Sequence, residues 1–193
     1  MNQTIYLASR SPRRVELLKL IGIECVVKPA DIDESALENE LPTDYVLRLA
    51  GEKAWVCQQQ LGVASLHMPI LAADTTVALD DVILGKPLDD ADAFTMLKSL
   101  SGRQHEVHTA IAVAFNGKID VALSSTVVEI MVLSDAMIHG YIAAGEHQDK
   151  AGSYGIQGLA GAWIKRIEGS YSGVMGLPVH EAAQLLKKLN TSN

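Results

Sequence analysis

The stretch Ile5-Tyr6-Leu7-Ala8-Ser9-Arg10-Ser11-Pro12-Arg13-Arg14 decides the fold of this 193-residue chain. Its apolar start, Ile5 to Ala8, reads as a buried strand that breaks into a short polar turn. A helix then begins, with Ser11 as its N-cap and Pro12 in the first helical position. Arg13 and Arg14 are out of place there. Two cations in a first helical turn oppose the macrodipole at about 0.3–1 kcal/mol each when nothing offsets them. Free backbone N–H groups, the hydroxyls of Ser9 and Ser11 and two guanidinium forks together describe an anion site, most naturally for phosphate. A solvated arginine pair behind a simple serine cap reads equally well from this stretch alone.

Composition narrows the partners. With 48% hydrophobic residues the chain can bury a full core, as one large domain or as two lobes. A formal charge of −7 argues against a nucleic acid polymer, which needs a broad basic surface. Basic residues placed locally suit a small anionic ligand instead. Cys25 and Cys57 have neither metal nor redox spacing, so a reduced, cytoplasmic protein is expected. Neither a signal-type apolar core nor a bilayer-length run is seen, and no membrane is expected as a partner.

Along the chain, Val15, Leu18 and Ile21 keep helical spacing up to Gly22, and Ile23 to Val27 reads as a strand. An acidic loop, Pro29 to Ser35, carries Glu34. A helix is predicted from about Thr43 to Leu61, with Val46, Leu49, Ala50, Lys53, Ala54 and Cys57 inward. Lys53 therefore falls on an apolar face, where it either snorkels outward or aims an ammonium at a ligand. Pro69 to Ala73 predicts a short buried strand ending in Asp74-Thr75-Thr76, and a carboxylate at such a strand end is where ligand chemistry sits in α/β proteins. Val77 to Leu84 reads as a separate hairpin leading into Gly85-Lys86-Pro87. A helix over about 90–100 follows, and then Asn116-Gly117 joins two long strands expected to form a lobe of their own. Ser134 caps another helix. The loop Asp149 to Gly158 holds three glycines that serve either close approach to a ligand or tight turns. A strand over 162–167 and a last helix opened by Pro178 complete the chain.

Arg13, Arg14, Lys53 and Lys86 thus occupy irregular or strained places, and so do Glu34 and Asp74. The inventory suits a polyphosphate held by cations, with carboxylates for a divalent metal and for activating water. No Gly-x-x-x-x-Gly-Lys-Ser/Thr or Gly-x-Gly-x-x-Gly loop occurs. His105 and His108 lie on opposite faces of a strand and read as pairing or surface residues rather than zinc ligands.

From end to end the chain resembles the Maf-type nucleoside triphosphate pyrophosphatases. The resemblance rests on Leu7 to Arg14, Asp33-Glu34-Ser35, Arg48-Leu49-Ala50 with Lys53-Ala54, Ala73-Asp74-Thr75, Gly85-Lys86-Pro87, Ser101-Gly102, His108-Thr109-Ala110, Asp149 to Gly152 and Val174 to Pro178. It implies a single domain over 1–193, with a two-lobed mixed-sheet α/β fold like that of inosine triphosphate pyrophosphatases and the nucleotide in a central cleft. It also implies hydrolysis between the α and β phosphates with a divalent metal, Mg²⁺ or Mn²⁺, and a homodimer. Carried over residue by residue, Asp74 would accept the proton of water with Lys53 and Lys86 as catalytic partners, and Arg14, Lys53 and Lys86, with Ser9, would hold phosphates. Glu34 would place the metal together with Asp74. Asp74-Thr75 and Tyr154-Gly155-Ile156-Gln157-Gly158 look like the branch acting on dTTP and UTP, in which Arg13, Thr75 and Gln157 would govern base choice. The amide of Gln157 can both donate to and accept from a pyrimidine imide edge, or else merely brace its loop. A nucleotide-sensing regulator of cell division, binding without turnover, stands as the competing reading.

Overall fold

Alternating apolar runs and helical periods build one mixed sheet, described over residues 3–63 and 68–191 of a computed structural model. Strand β1 (Gln3–Leu7) leads into helix α1 (Pro12–Leu20) and then β2 (Ile23–Val27). Helix α2 (Pro42–Leu61) precedes β3 (Ile70–Leu79), β4 (Val82–Leu84) and α3 (Asp90–Leu100). The hairpin of β5 (Gln104–Phe115) and β6 (Lys118–Ile130) is followed by α4 (Asp135–Ala143). Strand β7 (Ile164–Glu168), the short α5 (Tyr171–Val174) and α6 (Val179–Thr191) close the described chain. Spatially the strands run β2-β1-β3-β5-β6-β7, with β4 added to β3. Both pairings of β1 are parallel and the others are antiparallel.

Strand alternation sorts the sheet's two faces. Ile70 and Ala72 of β3, with Ala110 and Ala112 of β5, pack under Val46, Ala50, Ala54 and Cys57 of α2. Small residues on both sides let that helix lie close to the strands. On the opposite face Leu71, Ala73, Ile111 and Val113 meet Leu18 of α1 and Ala182, Leu185 and Leu186 of α6. A third cluster gathers Leu97 and Leu100 of α3, Val107, Val128 and Ile130 of the hairpin, and Ile138 and Trp163.

Four expectations are corrected. The long hairpin is not a lobe of its own, because β5 pairs with β3 from Ile70↔Ala114 to Ala78↔Glu106. Strands of 12 and 13 residues are long enough to contribute to more than one apolar cluster. Asp74 does not end a strand either: β3 runs unbroken through Asp74-Thr75-Thr76 to Leu79, since β5 pairs it throughout. Residues 162 and 163 belong to a 3₁₀ turn, Leu159–Trp163, rather than to β7. Ser11 stands in the N-cap position of α1 but makes no side-chain capping bond. The Asn116-Gly117 turn is as read, with φ of 50° and 74° that place both residues in the left-handed region of a type I′ hairpin.

One gap in the pairing prepares the site. Strand β1 meets β3 only at Tyr6↔Ile70 and Leu7↔Leu71, whereas β4 takes up that edge at Val77↔Leu84. Between Leu71 and Val77 one edge of β3 carries no strand, and Asp74 and Thr75 lie in that interval. The carboxyl end of β1 and the turn into α1 open onto it, the usual place for ligands in sheets with parallel pairs.

A glycine locks the neighbouring loop to this region. Gly152, at φ 65°, donates its N–H to the carbonyl of Gly85 at 3.0 Å, and a Cβ there would come within 2.9 Å of the Val77 side chain. Gly152→Ala is therefore expected to cost about 1–3 kcal/mol of stability, through both strain and overpacking. Urea denaturation would show it as a lower midpoint, and an unmoved midpoint would contradict the contact.

Candidate active site

Lys53 is the hub. Helix α2 turns it onto the sheet with its apolar stripe, and it is only 8% exposed. Its Nζ donates to Asp74 Oδ1 at 2.6 Å and lies 2.6 Å from Glu34 Oε1. The ammonium therefore does not snorkel, and its burial is offset by two carboxylates. Asp74 is fixed by β3, whereas Glu34 comes from an irregular loop that α2 anchors. The Tyr45 hydroxyl donates to the Glu34 carbonyl at 2.8 Å, and Arg48, clamped by Glu40 at 2.6 and 2.7 Å, donates to the Ser35 carbonyl. Lys86, on the turn after β4, stands 3.9 Å from Glu34 Oε2 with most of its side chain in solvent.

Arg14 makes the second knot. Its Nε donates to the Gly176 carbonyl at 2.8 Å, Nη1 to Ser9 Oγ at 2.8 Å and Nη2 to Thr75 Oγ1 at 3.3 Å. Ser9 Oγ also accepts the Ser11 N–H at 3.2 Å. With two bonds accepted, the Ser9 hydroxyl keeps its own hydrogen for an incoming anion. Thr109 is fully buried, and its Oγ1 lies 2.9 Å from Thr75 Oγ1 and 2.8 Å from the Gly173 carbonyl. Because each hydroxyl has one proton, the consistent order runs Arg14 to Thr75 to Thr109 to the carbonyl of Gly173. The hydroxyl of Thr75 is thus engaged in orienting Arg14.

These groups line one cleft of about 1140 Å³. Ser9, Arg13, Arg14, Glu34, Lys53, Asp74, Thr75, Lys86 and Gln157 all border it, so every residue singled out in the sequence is brought together. The side chains of Arg13 and Gln157 line the cleft with no hydrogen-bond partner among the described residues, while Arg10 of the same opening stretch turns to an exposed pair with Asp31. Sequence reasoning gave no role to Thr109 or Tyr45. The first was visible only as part of a motif; the second carried no signal. His105 and His108 are buried rather than at the surface, bonded to Tyr154 Oη at 2.7 Å and Ser125 Oγ at 2.8 Å. Burial pushes His105 down to about 4, leaving it neutral near pH 7.

Electrostatics separate the two carboxylates. Burial raises the Asp74 pKa above the ordinary aspartate value, against the pull of Lys53 and Arg14. Burial also acts to raise Glu34, but Lys53, Lys86 and Arg14 together hold it below the usual range. Desolvation lowers the Arg14 guanidinium from its free value. Asp74 Oδ2 has no hydrogen-bond partner among the described residues. Among those residues no three His, Cys, Asp or Glu side chains form a cage for a metal. Asp74 Oδ1 and Glu34 Oε1 converge on the Lys53 ammonium, so the oxygens left for a Mg²⁺-type ion, which takes one or two carboxylates plus substrate phosphates and water, are Asp74 Oδ2 and Glu34 Oε2.

A family model described as a Maf-like protein matches residues 4–189. The dTTP/UTP pyrophosphatase of Methylobacillus flagellatus is 60% identical over 183 residues, 95% of this chain and 91% of that protein. The dTTP/UTP pyrophosphatase of Nitrosomonas europaea is 49% identical over 199 residues, 97% of this chain and 95% of its own. Among solved structures, the Staphylococcus aureus Ham1 protein aligns with 66% of this chain and 72% of that one at 15% identity and a TM-score of 0.45, too distant to bear on the site.

The opposite shifts have opposite consequences for stability. With its folded pKa raised, Asp74 contributes stability that is present below its unfolded pKa and lost as pH rises through the folded value. With its folded pKa lowered, Glu34 contributes stability present above its unfolded pKa and lost as pH falls through the folded one. Asp74→Asn removes a penalty at neutral pH, so its melting temperature at pH 7 should equal or exceed that of the parent. The gap should close as acidification protonates Asp74. A variant melting lower at pH 7 would mean that the Lys53 pair outweighs burial.

Proposed function

Because the chain belongs to the Maf family, we propose that it is a nucleoside triphosphate pyrophosphatase that hydrolyses dTTP and UTP to the monophosphate and pyrophosphate. The observation that carries this reading is Asp74: a buried carboxylate held by Lys53 on one oxygen, with the other free in a cleft lined by cations. In this reading Oδ2 takes a proton from water as the water's oxygen bonds to phosphorus and the α–β anhydride breaks. Its raised pKa brings Asp74 toward the range useful for a general base. Lys53 keeps the carboxylate oriented. Ser9 and Arg14 hold phosphate oxygens, and Lys86, mostly in solvent beside Glu34, answers the charge that builds on the departing pyrophosphate.

Glu34 and Asp74 would hold a divalent ion, Mg²⁺ or Mn²⁺. When bound, such an ion would neutralise phosphate charge and polarise the anhydride. Arg13 and Gln157 would set base choice directly, and Thr75, whose hydroxyl is taken up by Arg14 and Thr109, would do so through the guanidinium it orients. The unpartnered amide of Gln157 supports this, since it can answer both the N–H and the carbonyl of a uracil or thymine edge. Cytoplasmic placement and a homodimer complete the reading. The first is supported by two free thiols, Cys25 and Cys57, and the second by the family likeness. Turnover is favoured over silent sensing by Asp74 itself, because a binding site has no use for a carboxylate that repels the ligand's charge.

Pyrophosphate release across a panel of triphosphates, with and without Mg²⁺ or Mn²⁺, tests the assignment. Asp74→Asn should lose about 10²–10⁴-fold in turnover while still binding a non-hydrolysable triphosphate. Undiminished release would remove Asp74 as the base. Arg13→Ala and Gln157→Ala should change the ranking of nucleotides more than Asp74→Asn does. If the order of substrates stays put in both, the base is read elsewhere in the cleft.

A further inference from the structure

Gln157 can select a base only if its backbone is held still, and its own sequence does the opposite. It sits in Gly155-Ile156-Gln157-Gly158, a turn flanked by glycines and closed by a single backbone bond from Gly158 N–H to the Gly155 carbonyl at 3.1 Å. Two further bonds bracket it. The Leu159 N–H donates to Glu146 Oε2 at 2.8 Å, and the Gly155 N–H donates to Tyr141 Oη at 3.2 Å. Both lead to Glu146, since Tyr141 Oη donates in turn to the Glu146 carbonyl at 3.3 Å, which also receives Lys150 Nζ at 2.5 Å. Burial pushes the Tyr141 phenol up to about 12, so it stays protonated and able to serve as that link.

The contact leaves no slack. A Cβ built on Gly158 would stand 1.9 Å from Glu146 Oε2, so the carboxylate lies against bare backbone one residue after Gln157. We propose that Glu146 is a positioning residue for base selection: its carboxylate, seated on Gly158 and bonded to the Leu159 N–H, sets where the Gln157 amide stands in the cleft. This rests on the reading that the cleft selects dTTP and UTP, and it adds a residue that borders the same cleft without a part in holding phosphate or activating water.

The experiment measures initial rates of pyrophosphate release from dTTP, UTP and GTP for the full chain, Glu146→Ala, Glu146→Gln, Gln157→Ala and the Glu146→Ala/Gln157→Ala pair, with melting temperatures alongside. Glu146→Ala should lower kcat/KM for dTTP and UTP about tenfold, mainly through KM, and narrow their lead over GTP. Glu146→Gln keeps an oxygen for the Leu159 N–H and should restore most of that lead. In the double variant Glu146→Ala should add little to Gln157→Ala, because both act through one amide. A fall in melting temperature with all three substrates slowed alike, or independent addition of the two losses, overturns the role of Glu146. A parent enzyme that releases pyrophosphate from GTP as readily as from dTTP and UTP instead overturns the substrate reading, and this inference with it.

Discussion

The ammonium of Lys53 is the constraint on which the site depends. It joins three parts of the chain that share no backbone pairing: the face of α2, the middle of β3 and the irregular loop that carries Glu34. Burying it alone would be costly, and burying Asp74 alone would leave that residue protonated. Together they persist, yet the balance is not neutral, because Asp74 remains harder to ionise than a free aspartate. A group meant only to stabilise the fold would be better replaced by a well-packed apolar side chain. In the proposed reading, stability is surrendered to keep the Asp74 oxygen in place.

The second requirement is room, and the sheet supplies it by stopping early. Because β1 leaves β3 after Leu71, the edge of β3 away from β5 has no strand beside it at Asp74. Side chains from both faces of β3 reach this opening. Asp74 belongs to the face covered by α2, and Thr75 to the face covered by α1 and α6. Arg14 bonds Thr75, Ser9 and the Gly176 carbonyl, which is why a cation at a helix start is tolerated: a carbonyl and two hydroxyls solvate it there.

Much of this was legible in the sequence, and the reasons differ by element. The helices with one clear stripe, α2 above all, carry their own evidence, and Lys53 stood out because it breaks that stripe. The hairpin turn was legible from Asn116-Gly117, since few other pairs adopt its dihedrals readily. Strand β3 was not, because a polar Asp-Thr-Thr in mid-strand looks like a terminus when local polarity is the only guide. Partner pairing with β5 overrides it. The separate lobe failed for the same reason: strand length can be read locally, but the neighbour cannot. Among the site residues, those with an unusual charge were found. Thr109 and Tyr45 act through a single hydroxyl each, and nothing about a buried hydroxyl distinguishes it in a linear chain from one that merely fills space.

The bond between Arg14 Nε and the Gly176 carbonyl joins residues 162 positions apart. During synthesis on a ribosome the opening arginine must wait for almost the whole polypeptide before it meets that acceptor. Chain fragments released early would carry Ser9, Arg14, Lys53 and Asp74 without a properly aimed guanidinium. The guanidinium is therefore aimed only once the chain has been made as far as Gly176.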